Sequence, residues 1–272
     1  MRPQHWAAQA GIHFALATGA VAILTPFLWM VVSAFTPQTQ IFRDGVLPDA
    51  FTLANFAEVF DEVPMLRYYL NSFVVATTIF VLQVIVCLPA AYALARLRFR
   101  GQTLSLWVVF ACLMVPTQVA AIPIYLIFSK VGILNTFPSL VLPFVSSAFG
   151  IFLLRQFILT IPQSVFDAAR LDGARGWSTL IRVVFPLVKP ALVSFGVFSF
   201  VSHWNDYFWP SIVLRSTDYA TVPFGIVRFV SFESGTSYGA QMAAALLAIV
   251  PLLLGFLLAQ RQFIAGFSLI SD

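Results

Sequence analysis

The sequence predicts an all-α integral membrane protein with six transmembrane helices, and three observations carry that reading. Of 272 residues, 60 % are hydrophobic and only 10 % are charged, a balance far from that of a soluble domain. The apolar residues fall in six runs, each near the roughly 20 residues a helix needs to cross a bilayer. The Lys and Arg residues gather between alternate runs, as cytoplasmic loops require.

The runs are read in order. Residues 11–35 form the first span, with Pro26 inside it. It is too long for the apolar core of a secretory signal peptide and reads as an uncleaved anchor. A polar connection follows, with Asp44, Asp49, Glu58, Asp61 and Glu62 against Arg43 and Arg67. The second span is about 70–95, ending at Arg96-Leu97-Arg98-Phe99-Arg100. The third is about 104–128, with Pro116 and Pro123, and the fourth about 138–159, where Arg155 can snorkel to the interface. After a charged loop at 162–186 come the fifth span, about 190–214, and the sixth, about 239–259 with Pro251. Proline inside a span is tolerated where neighbouring helices satisfy the freed backbone groups. The whole chain, 1–272, reads as a single transmembrane domain.

With the N-terminus inside, Arg2, Arg96, Arg98, Arg100, Arg155, Arg170, Arg175, Arg182, Lys189 and Arg261 lie on the cytoplasmic side. Arg43, Arg67, Lys130, Arg215 and Arg228 lie outside. Ten against five agrees with both termini in the cytoplasm and places the 162–186 loop there as well.

That loop is an amphipathic island. Ser164 followed by Asp167 has the form of a capping box opening a short helix. Gly173 stands about two turns on, where a helix commonly ends in a left-handed residue. A second short helix fits Ser178 to Val184, closed before Pro186. The small pair Ala168 and Ala169 leaves room for a partner to come close. Two short helices about a glycine turn make a docking element.

Several chemistries are absent. Ser129 precedes Lys130 and Val188 precedes Lys189, the only lysines, so no Gly-Lys-[Ser/Thr] phosphate loop exists. His5, His13 and His203 are scattered and form no metal-ligand pattern. Cys87 and Cys112 both fall within spans and read as packing thiols. No Gly-x-Ser-x-Gly elbow is present. The net charge of +4 comes from residues beside spans, not from a nucleic-acid-binding patch.

Asp167-Ala168-Ala169, Gly173 and Val183-Val184-Phe185-Pro186 resemble the cytoplasmic Glu-Ala-Ala loop of bacterial ATP-binding-cassette importer permeases. The spacing of that pattern is kept, with Asp167 for Glu, Val183 for Ile and Phe185 for Leu. Trp204-Asn205-Asp206-Tyr207-Phe208-Trp209-Pro210 resembles a stretch of the maltose and glycerol-phosphate branch. Thr52-Leu53-Ala54-Asn55-Phe56, the Asn71-Ser72 pair and Gln260-Arg261-Gln262-Phe263-Ile264-Ala265-Gly266 also look like that branch, although the chain stops at Ser271-Asp272 without the common glycine-rich ending. The resemblance covers roughly the whole chain and is strongest over 70–266.

It implies the type I importer permease fold, with a coupling-helix loop between helices 4 and 5. It implies one of two permease subunits, two cytoplasmic ATPase subunits and an extracytoplasmic binding protein that delivers a carbohydrate or glycerol-phosphate-like solute. ATP and Mg²⁺ would sit on the ATPases, with no cofactor, metal or catalytic residue in this chain. Asp167, Ala168, Ala169, Asp172, Gly173 and Pro186 would make the coupling contact.

Trp204, Asn205, Asp206 and Tyr207 admit two readings. They could line the translocation path, because polar groups at such depth face a bundle interior or wet cavity. They could equally be an interfacial aromatic belt. Two other transport classes remain as alternatives: a proton-coupled secondary transporter with His203 and Asp206 as relay, and an importer permease for amino acids or peptides. An intramembrane hydrolase would need a carboxylate partner for Asp206, and no span offers one.

Overall fold

A computed structural model describes residues 3–43, 48–229 and 237–268, whose regular structure is helical with no strand among them. Arg2 and the end of the tail, 269–272, lie outside the described residues. Three helices are long and apolar enough to cross a membrane: the Gln9–Ala34 part of α1 (Pro3–Ala34), α3 (Met65–Arg96) and the Tyr238–Gly255 part of α14 (Tyr238–Ser268). Three bent helix pairs bring the number to as many as six if each pair is one span.

The bends correct the sequence expectation. The third run is not one helix. It breaks into α4 (Gln102–Met114) and α5 (Thr117–Val131), at 97° to each other. Val115 precedes Pro116 and is extended, φ −85° and ψ 118°, because a residue before proline is driven out of the helical region. The fourth run is α6 (Phe137–Val141), a 3₁₀ turn (Leu142–Phe144) and α7 (Ala148–Thr160), bent by 45°. Ser147 starts α7 by accepting from the Gly150 N–H at 3.0 Å. The fifth run ends as α11 (Lys189–Trp204), and a separate α12 (Phe208–Val213) follows. The Asp206 carboxylate accepts from the Trp209 N–H at 3.2 Å and so starts α12.

The chain divides into two compact units. The first comprises Met1–Met65 and Ile226–Pro251. Most of its α1 is uncovered, with Phe14, Leu16 and Ile23 all exposed, as suits a helix that is apolar on every side and faces hydrocarbon. The joint between α1 and α2 (Ala54–Glu62) gives a physical reason for the Thr52-to-Phe56 motif. Asn55, buried in α2, donates to the Ala34 and Thr36 carbonyls at 2.9 and 2.8 Å, and so caps the end of α1. Phe56 lies against Phe35 with ring centroids 4.9 Å apart. Asn55→Ala strands two buried carbonyls, and a loss of roughly 1–3 kcal/mol is expected. A lowered midpoint of thermal unfolding in detergent is the check.

The second unit comprises Leu66–Gly225 and Leu252–Asp272. One apolar core joins Cys87 and Leu88 of α3, Leu154 and Ile158 of α7, Phe166, Leu180 and Val184 of the charged loop, and Val188 and Leu192. A second joins Val75 and Ile79 of α3 with Leu140, Trp209 and Val213. Asn71 and Ser72 secure the chain after α12. Asn71 donates to the Asp218 and Ala220 carbonyls at 3.1 and 2.9 Å, and the Ser72 hydroxyl accepts from the Val222 N–H at 2.8 Å.

Candidate functional site

The charged loop contains α8 (Gln163–Leu171), α9 (Trp177–Thr179), a π-helical turn (Leu180–Val184) and α10 (Phe185–Leu187). Two sequence expectations change here. Ser164 does not cap α8: the N-cap is Pro162, with no side-chain hydrogen bond. Asp167 instead accepts from the Gln163 side chain at 3.0 Å and pairs with Arg170 at 3.5 Å, one turn away on each side. Both partners of that ion pair are exposed, so it contributes little to stability. The second helix also continues through Pro186 rather than closing before it. The π turn upstream widens the helix where proline has no N–H to offer and its ring would meet the preceding turn.

Gly173 behaves as the sequence indicates. Its φ is +81°, and both bonds of a Schellman motif are present: Ala174 N–H to the Ala169 carbonyl at 2.9 Å, and Gly173 N–H to the Arg170 carbonyl at 3.0 Å. Gly176, at φ 53° and ψ −117°, is a second glycine-dependent position that the motif did not flag.

Of the proposed coupling residues, Asp167, Ala168, Asp172, Gly173 and Pro186 are exposed. Ala169 is not: it is buried together with Phe166, so only one member of the small pair lies outward. Ala169 seats the helix and Ala168 leaves room above it. The outer face also carries an apolar group the motif did not predict. Leu171 is 89 % exposed, Trp177 68 % and Ile181 62 %. Large apolar side chains so uncovered on a charged loop mark a contact surface.

A second site is a cavity of about 830 Å³ in the second unit. Its polar lining includes Gln83, Ser199, Ser202, His203 and Asp206, and its aromatic lining includes Phe144, Phe195, Phe198, Phe208 and Trp209. Gln83 organises the polar side. Its amide donates to the Phe144 carbonyl at 2.9 Å, its oxygen accepts from the Ser199 hydroxyl at 2.6 Å, and its Nε2 lies 3.4 Å from His203 Nε2. His203 also lies against the Phe144 ring, centroids 4.8 Å apart.

Of the four residues expected to line a path, only Asp206 borders this cavity. Trp204 is buried and stacks on Tyr69 and Phe200. The Asn205 amide turns back to the Val201 carbonyl at 3.0 Å, and Tyr207 is exposed. The sequence did contain a signal for Gln83, since a lone amide in an apolar run is costly unless it faces a cavity or a partner. Among the described residues, no three His, Cys, Asp or Glu side chains gather as a metal site.

Residues 86–267 match the family described as the binding-protein-dependent transport system inner membrane component. The chain belongs to this family. Among its relatives is the arabinooligosaccharides transport system permease protein AraQ of Halalkalibacterium halodurans, 30 % identical over 89 % of this chain and 88 % of the relative. The sn-glycerol-3-phosphate transport system permease protein UgpE of Brucella abortus is 33 % identical over 93 % and 94 %. The diacetylchitobiose uptake system permease protein NgcG of Streptomyces coelicolor is 31 % identical over 93 % and 85 %. In fold, the permease resembles a chain from the crystal structure of a bacterial ABC transporter involved in the import of the acidic polysaccharide alginate. The TM-score is 0.86 at 22 % identity, covering 97 % of this chain and 99 % of that one.

The permease is therefore a multi-pass subunit of the bacterial cytoplasmic membrane. It is the transport subunit of an ATP-driven importer and not an enzyme, and it works with an extracytoplasmic binding protein, a second permease and ATPase subunits. Family membership sets aside the proton-coupled and intramembrane-hydrolase readings.

Proposed function

We propose that the permease forms half of the path for a carbohydrate, with the 830 Å³ cavity as its share of that path. The observation that carries this reading is the lining of the cavity. Aromatic faces, neutral hydrogen-bonding groups and the single carboxylate of Asp206 together suit a polyhydroxylated ring. No lysine or arginine lines the cavity among the described residues. A phosphate calls for charge-assisted donors, so the lining favours a neutral sugar over a glycerol-phosphate-like solute. The sugar-named relatives AraQ and NgcG support the same class.

Coupling is assigned to the outer face of α8 and the turn after it: Asp167, Ala168, Asp172 and Gly173, with Leu171 and Trp177 beside them. Ala169 and Pro186 shape this element from within and behind. The loop faces the cytoplasm, where each of two ATPases grips one permease, and ATP with Mg²⁺ is held there rather than in this chain. Closure of the ATPases moves α8 and shifts the helices between two states by differential binding. In this reading residues 1–272 work as one permease domain, with six spans and both termini inside.

The test is uptake by the complete transporter in proteoliposomes with its binding protein. Uptake of a labelled neutral oligosaccharide is expected, with competition from other neutral oligosaccharides but not from glycerol-3-phosphate or peptides. Gln83→Leu removes the amide that holds Ser199 and the Phe144 carbonyl, and is expected to lower uptake about tenfold, as losing a buried polar contact does. Asn205→Ala, whose amide turns back on its own helix, is expected to stay within about twofold. Equal competition by glycerol-3-phosphate, or uptake of peptides alone, would replace the solute class.

A further inference from the structure

Two arginines in the second unit each cap the other's helix. Arg96 is the last residue of α3 and is half-buried. Its guanidinium donates to the carbonyls of Ile158 at 2.8 Å, Leu159 at 3.4 Å and Ile161, at the end of α7. Arg155 of α7 returns the bond, donating from Nε to the Leu94 carbonyl in the last turn of α3 at 3.2 Å. Gln102 adds a second side-chain donor to that same carbonyl at 3.1 Å. The last carbonyls of a helix have no partner within it and carry the negative end of its dipole. A planar guanidinium with five N–H groups is the side chain that can satisfy several of them together.

Arg96 does more than close a helix end. Its Nη1 donates to the Gln163 side chain at 3.3 Å, and its guanidinium lies over the Phe166 ring, 4.4 Å from the centroid. Both residues belong to α8. Gln163 in turn donates to Asp167 at 3.0 Å. Phe166 is buried in the core that α8 shares with α3 and α7. One side chain thus touches all three elements, and a hydrogen-bonded line runs from it to the acidic residue of the coupling motif.

We propose that Arg96 is the positioning residue that transmits displacement of α8 to α3 and α7, and that the Arg96–Arg155 exchange makes the three elements move together. The proposal rests on the assignment of α8 as the coupling helix. Without the clasp, α8 keeps its apolar contacts through Val165, Phe166 and Ala169 but no polar tie to α3 and α7, and can slide before the membrane helices follow. ATP would then be consumed with less transport.

The experiment uses the complete transporter, with its ATPases, second permease and binding protein, reconstituted in proteoliposomes. It reads subunit ratio, ATP hydrolysis and solute imported per ATP. Arg96→Gln is expected to leave the ATPases bound and hydrolysing while solute per ATP falls roughly tenfold. Arg96→Lys keeps the charge but not the fork or the stacking, and is expected to recover only part of the loss. An assembled Arg96→Gln complex that imports as much per ATP as the unsubstituted one overturns the proposal. Should Arg96→Gln not reach the membrane, Arg155→Gln and Phe166→Leu probe the same joint. A lowered ratio in either supports the clasp, and an unchanged ratio in both overturns it. Failure of the α8 assignment has a different signature: Asp167→Ala and Leu171→Ala would then leave ATPase association and stimulation untouched, whatever Arg96 does.

Discussion

Gly173→Arg is expected to abolish uptake while the permease still reaches the membrane at near-normal levels. The residue sits at φ +81°, where a side chain is strained whatever the space around it. A Cβ built there would meet nothing within 4 Å, so the change is not a packing lesion. The conformational cost is about 1 kcal/mol, enough to loosen the Schellman turn but not to unfold a helical bundle. The larger effect comes from what is added: a long cation on the outer face beside Asp172 and Leu171, where a partner must close on α8. Such a side chain in a desolvated contact costs several kcal/mol if it finds no counter-charge. ATPase association and stimulated hydrolysis are expected to fall with uptake. Gly173→Ala separates the two terms, because it carries only the backbone cost, and is expected to retain a substantial share of uptake. Normal uptake by the arginine variant at normal membrane levels would remove Gly173 from the coupling contact.

Gly150→Leu is expected to have the largest effect on stability. Gly150 lies in α7 and is buried against Phe195 of α11, itself 1 % exposed. A Cβ at this position would fall 2.7 Å from Phe195 Cε2 and still nearer Cζ, well inside contact. Phe195 has little freedom to withdraw, because Phe80 and Phe149 lie against it with ring centroids 6.1 and 6.4 Å away. Forcing methylenes into such a joint costs typically 1–3 kcal/mol, and a leucine side chain lies at or above the upper end. Phe195 also borders the cavity, so a variant that folds is expected to import more slowly because its cavity wall has moved. Thermal unfolding in detergent and uptake by the surviving fraction check both effects. A midpoint within a degree or two of the unsubstituted protein would show that α7 and α11 can separate freely at this point.

The charged loop was unusually legible in the sequence. Its charges stand out in an apolar chain, and Gly173 announces a helix end because only glycine takes that conformation without strain. The inward side of Ala169 was not legible. Two adjacent alanines look alike in a motif, and which one faces the core depends on where Phe166 is buried. The capping-box expectation at Ser164 failed for a related reason: Pro162 already supplies the extended residue that opens α8, and Asp167 is taken by Gln163 and Arg170. Among the path candidates, the Trp-Asn-Asp-Tyr run gathers residue types suited to a sugar. The break at Asn205 sends three of the four elsewhere and leaves only Asp206 on the cavity. Gln83, Ser199 and Phe144 are far apart in sequence and belong to one site only because α3, α11 and the turn before α7 meet there.

By itself the sequence determined the membrane class, the six apolar runs and the charged amphipathic loop between the fourth and fifth. Hydropathy, charge placement and glycine conformation are local properties that a chain carries before it folds. The tertiary structure decided where the runs bend, which loop residues face out, and that Arg96 and Arg155 cap one another's helices. Those depend on which carbonyls and rings come within reach across helices, and residues as distant as Arg96 and Ile161 acquire that relation only when the bundle is packed.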